Sequence, residues 1–112
     1  MTSDSTLYIL NTPILTSYGK YNFREARLIE VRYLLHLSRG RFISAVGHDA
    51  TAKLMSKATG FDIPVNRVPI EMKPGDRAIV FRVLTRLPEG KVLTEEELTM
   101  VPYEFGILER RE

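Results

Sequence analysis

One hundred and twelve residues, 44% of them hydrophobic, suffice for one domain around one core and are too few for two. Sixteen Lys and Arg against 14 Asp and Glu give a formal charge of +2 and a pI near 9.0, far below the charge density of a general DNA-coating protein, so any anion site has to be local. The absence of Cys excludes disulfides and thiolate metal sites, no run approaches the roughly 18 apolar residues that span a bilayer, and Met1-Thr2-Ser3-Asp4-Ser5 lacks the basic and apolar regions of an export signal; a soluble, unexported, cytoplasmic protein is expected.

Leu7 to Leu10 is a short apolar run closed by Asn11-Thr12-Pro13, and because Pro cannot continue a ladder it reads as a strand followed by a loop. Tyr18-Gly19 marks a turn. From Tyr21 two periods compete: Tyr21 and Phe23 alternate as in a strand, whereas Leu28, Val31, Leu34 and Leu35 recur at helical spacing. A strand over Tyr21 to Leu28 and a helix over Glu30 to Ser38, ended near Gly40, are predicted. A strand at Arg41 to Val46 follows. Thr51, Leu54, Met55 and Ala58 then form one helix face, with Asp49 available as the cap and Gly60 just past the end.

Pro64 breaks the chain, and Arg67 to Met72 reads as a strand. Lys73-Pro74-Gly75-Asp76 is a turn, and the run from Arg77 to Leu87, through Ala78, Ile79, Val80, Phe81, Val83 and Leu84, is the expected sheet centre. Arg77 and Arg82 are read as its exposed side. Pro88-Glu89-Gly90 is another turn. Thr94 and Glu97 have the capping-box spacing, so a short helix starts at Glu95 and stops before Pro102, ahead of a last strand at Tyr103 to Leu108. The order β-β-α-β-α-β-β-α-β predicts an α/β or α+β fold: one domain over residues 1–112, with a mixed central sheet of five or six strands flanked by helices.

Ala45-Val46-Gly47-His48-Asp49-Ala50-Thr51 carries the most chemistry. An apolar strand stops at Gly47, so His48 falls on a tight turn at the positive end of the next helix. Imidazole exchanges a proton near neutrality, and the unpartnered amides of a helix N-terminus attract phosphate. A proton donor beside an anion site suits phosphodiester cleavage; an ordinary capping histidine fits the same residues. A metal site would need His36, His48 and carboxylates, and His36 reads as a boundary residue of its helix, so none is expected. Ser38, Ser44 and Ser56 lack any nucleophile elbow, and neither dinucleotide nor Walker glycine spacing occurs. Arg67 and Arg86 sit at predicted strand ends, where a guanidinium can grip phosphate through two parallel hydrogen bonds or simply be solvated.

Ala45 to Thr51, then Asn66-Arg67-Val68, then Met72-Lys73-Pro74-Gly75-Asp76-Arg77-Ala78, then Arg86-Leu87-Pro88-Glu89-Gly90-Lys91-Val92-Leu93-Thr94, together resemble the viral anti-CRISPR ring nuclease family, whose members also occur in cellular genomes. The likeness spans nearly the whole chain and keeps order and spacing. It implies a homodimeric enzyme that needs no metal or cofactor and linearises cyclic tetra-adenylate, the second messenger of type III CRISPR systems. The enzyme would act in the cytoplasm, the host's if the source is viral, with no membrane and no stable nucleic-acid partner. Residue by residue, the resemblance makes His48 the catalytic histidine and Arg86 and Glu89 its catalytic companions. It makes Arg67 and Ile70 ligand contacts, with Asn11 and Gly47 beside them. The chain departs from the archaeal viral members at Thr12-Pro13-Ile14-Leu15 and from Tyr18 to Arg39, which bears on the lid and the pocket.

The chemistry agrees with that implication. An RNA phosphodiester carries its own nucleophile, the 2′-hydroxyl, so the enzyme must supply an acid for the leaving 5′-oxygen, cations for charge on phosphorus, and in-line geometry. His48 as acid, Arg86 and Arg67 on phosphate, and Glu89 orienting His48 would meet these needs. Two other readings use the same residues: a sponge that binds the cyclic nucleotide without cutting it, and a small dimeric nucleic-acid-binding regulator. Against the regulator, no helix carries clustered Lys and Arg in a recognition pattern.

Overall fold

The computed structural model describes residues 5–12, 17–84 and 94–112. Within them the chain runs β1 (Leu7–Leu10), β2 (Tyr21–Ala26), α1 (Leu28–Leu37), β3 (Ile43–Ser44), α2 (Asp49–Thr59), β4 (Arg77–Val83), α3 (Glu95–Thr99) and β5 (Tyr103–Arg110). The strands form one mixed sheet in the order β2-β5-β4-β1-β3. β1 is parallel to both of its neighbours, β3 and β4, while β5 runs antiparallel between β4 and β2. The most hydrophobic run is the central strand, as its composition predicts.

Alternation along β4 builds two apolar layers. Ile79 and Phe81 join Ile9, Ile107, Val31 and Leu35 of α1, and Leu54 and Met55 of α2 in the larger one. Phe81 is the hub, with ring centroids 5.0 Å from Tyr103 and 5.1 Å from Phe105. Ala78 and Val80 face the opposite way, with Leu10, Leu108 and Met72. Both long helices therefore lie on one face, and the segment carrying Ile70 and Met72 covers part of the other. Arg77 and Arg82 are five residues apart, an odd number, so they lie on opposite faces and not on one exposed side as read from the sequence. Arg82 is exposed and ion-paired with Glu104.

Several boundaries move for identifiable reasons. Leu28 begins α1 instead of ending β2, because it packs with Val31 and Leu35 on the helical face of the core. Glu30 in that first turn is held by Arg24, whose hydrogen bond keeps the carboxyl below the usual carboxylate range. β3 is only two residues long, since β1 offers it just Tyr8 and Ile9 as partners. Arg67 to Met72 forms no strand: Pro69 has no donor, and the segment is tied down through side chains and carbonyls instead. β5 continues past Leu108 because Tyr21 and Asn22 of β2 still pair with Arg110 and Glu109. The capping box forms as read, Thr94 Oγ1 accepting from the Glu97 amide and Glu97 Oε1 from the Thr94 amide, each at 3.1 Å.

Candidate active site

β1, β3 and β4 are parallel, so all three release the chain at one edge of the sheet. Asn11 follows β1 there, and Ala45 to His48 follow β3. β1 has its parallel neighbours on opposite sides, and the crevice outside the carboxyl ends at such a reversal is where open sheets of this kind bind ligands.

The chain then turns into α2. His48 is its N-cap, with extended backbone at φ −128° and ψ 123°, and its Nδ1 accepts the Thr51 amide at 3.3 Å. The Thr51 hydroxyl lies 3.3 Å from the same nitrogen. Asp49, expected as the cap, is instead the first helical residue and forms an i,i+4 pair with Lys53. The reason is reach: from the cap position the imidazole lone pair meets the amide three residues on. At the other end Gly60, at φ +80°, caps in the left-handed conformation that glycine adopts without strain. His48 is thus a capping residue, and it also faces a cleft.

The far wall of the cleft is Arg67 to Pro69, anchored by the residues that precede it. Ser44 Oγ donates to the Pro64 carbonyl (2.7 Å), the Asn66 amide to the Val46 carbonyl (2.9 Å), and Asn66 Nδ2 to the Ser44 carbonyl (2.7 Å). That seam places Arg67 over Gly47, whose carbonyl accepts from both Nε (3.2 Å) and Nη2 (2.9 Å). This engages two of the five guanidinium donors. The absence of a side chain at Gly47 is what allows the approach, for a Cβ there would sit 3.1 Å from Arg67 Nε. Gly47→Ala is therefore expected to push Arg67 aside and, if the cleft takes the cyclic tetra-adenylate that the resemblance implies, to weaken its binding several-fold, while stability stays within about 0.5 kcal/mol because the displaced side chain is exposed; calorimetric titration with that ring and thermal melting check the two halves.

Asn11, Ala45, Gly47, His48, Arg67, Val68 and Pro69 line the cleft, of about 560 Å³. Four residues singled out from the sequence, Asn11, Gly47, His48 and Arg67, are brought together in it. Ile70 is not among the lining residues; it packs with Met72 and Leu10 on the second face of the sheet. Arg86 and Glu89 lie outside the described residues. Thr51 and Asn66 were not assigned roles from the sequence. Thr51 carried the signal of standing three residues after a candidate cap; Asn66 had only its place in the loop after Pro64, next to Arg67. Among the described residues no three His, Cys, Asp or Glu side chains cluster in a way that could hold a metal ion, and no helix is long and apolar enough to cross a membrane.

Comparison with known proteins places this architecture. The STIV B116-like family matches residues 7–105. The chain is 41% identical to "uncharacterized protein 26" of Sulfolobus islandicus filamentous virus (isolate Iceland/Hveragerdi) over 108 residues, 92% of this chain and 90% of that protein. It is 35% identical to "uncharacterized protein YddF" of Bacillus subtilis (strain 168) over 101 residues, 90% of this chain and 94% of that protein. Among solved structures, B116 of Sulfolobus turreted icosahedral virus superposes with a TM-score of 0.76 at 24% identity, covering 95% of this chain and all of that one. At that identity the superposition speaks for the fold.

Proposed function

This chain belongs to the STIV B116-like family, and on that footing we propose that it is a metal-independent ring nuclease that opens cyclic tetra-adenylate and so silences a type III CRISPR signal. The observation that carries the reading is His48 fixed at the amino end of an eleven-residue helix with Asn11 and Arg67 in one cleft. The cleft falls in the range of about 300–1,000 Å³ usual for small-molecule sites. Its cationic wall and the positive helix end favour an anion.

In the proposed step the ring's own 2′-oxygen attacks the adjacent phosphorus, the P–O2′ bond forms as the P–O5′ bond breaks, and the imidazole of His48 protonates the departing 5′-oxygen. The 2′-hydroxyl proton passes to solvent. Arg67 and Arg86 balance charge on the phosphoryl oxygens, and Glu89 completes the group. A homodimer belongs to the proposal: a ring of four identical nucleotides shares a two-fold axis with a symmetric dimer, so two copies of His48 address opposite phosphodiesters and release two dinucleotides.

The nucleophile is in the substrate, so cleavage is expected to proceed unchanged in EDTA and to leave 2′,3′-cyclic phosphate or 3′-phosphate ends. Mass spectrometry of the products checks both. Activity lost to EDTA and restored by a divalent ion, or 5′-phosphate ends, would contradict the mechanism.

A further inference from the structure

We infer that Thr51, not a carboxylate, sets the tautomer of His48, and that Nε2 is the only ring nitrogen His48 offers to a substrate; this rests on the proposed reaction for its consequence but not for its test. A neutral imidazole has one in-plane lone pair and one N–H. At His48 the lone pair is committed: Nδ1 stands 3.3 Å from the Thr51 amide nitrogen, which donates to it as the N-cap bond of α2. An amide hydrogen cannot share that position with a proton on Nδ1, so the neutral ring carries its proton on Nε2.

Thr51 is well placed to enforce this. It is only 6% exposed, in the first turn of α2, so its amide finds no water to replace the imidazole if the ring turns away. Its hydroxyl, 3.3 Å from Nδ1, closes the same side of the ring. Turning the imidazole over would leave a buried amide unpaired, at a penalty comparable to a lost hydrogen bond. Thr51 is thus a positioning residue: it acts through His48 by leaving Nε2 as the nitrogen that a leaving oxygen can reach, and when the ring takes up the second proton it needs to act as an acid, Nδ1–H turns to the Thr51 hydroxyl. A carboxylate partner such as Glu89 has only Nε2 left to meet, where it would compete with the leaving group, so the orienting role first assigned to Glu89 passes to Thr51.

The test is long-range ¹H–¹⁵N correlation of the imidazoles in the full-length protein at about pH 8.5, well above the ordinary histidine value of about 6.5. The chain has two histidines, and exposed His36 serves as the internal reference for a freely exchanging ring. His48 is expected to show a single Nε2–H pattern and His36 an averaged one. The His48 pattern should persist in Glu89→Gln and in Thr51→Val, which keeps the amide, and should be lost in Thr51→Pro, which removes it within the first helical turn, where proline is best tolerated. An Nδ1–H or averaged pattern at His48 in the wild-type protein overturns the inference, as does its loss in Glu89→Gln; neither reading depends on Thr51→Pro folding. Because no substrate is present, the pattern can hold while cleavage fails, which would count against the proposed function alone.

Discussion

Replacing His48 with Ala is expected to lower the single-turnover rate of ring opening by about 10²- to 10⁴-fold, the contribution of a positioned general acid, while affinity for the ring changes little. The N-cap role adds a second, separable effect. Loss of a capping acceptor destabilises by about 1 kcal/mol, so His48→Ala should also melt earlier. His48→Asn distinguishes the two, for Asn is a good N-cap residue but no proton donor near neutrality. Both variants should lose the rate, and only Ala should lose the stability. Full activity in either variant would remove His48 from the chemistry and leave it as a cap.

Arg86→Ala is expected to slow cleavage by about 10²- to 10³-fold, as for a donor aimed at charge that develops in the transition state, with a much smaller change in binding. Arg86→Lys should not restore the rate, since an ammonium cannot reproduce the bidentate fork. Arg82→Ala, four residues earlier, is the control. Its guanidinium is spent on Glu104 at the surface, and exposed pairs of that kind contribute about 0–1 kcal/mol. Equal and small effects at Arg82 and Arg86 would withdraw Arg86 from the site.

The elements that follow from local pattern were legible in the sequence. The apolar run beginning at Arg77, the capping box at Thr94 and Glu97, and Gly60 behind an amphipathic helix all form where they were read, although the strand ends at Val83 and does not include Leu84. What depends on tertiary partners was not. Arg67 to Met72 looks like a strand residue by residue, yet Arg67 is held by Gly47, the preceding Asn66 by Ser44 and Val46, and the end of the segment lies against the second sheet face. Of the two ligand contacts that the resemblance implies in this stretch, Arg67 lines the cleft and Ile70 packs against the second sheet face. The capping histidine is a third case: Asp49 is the better cap by type, but backbone geometry gives the position to His48.

The most direct measurement is to incubate the purified protein with cyclic tetra-adenylate and follow the ring by chromatography. Its conversion into two linear di-adenylates is expected, with the dinucleotide as the end product and the ring intact in the His48→Ala variant. A ring that is bound and recovered whole would identify a sponge, and a ring that is neither bound nor cut would rule out both the nuclease and the sponge.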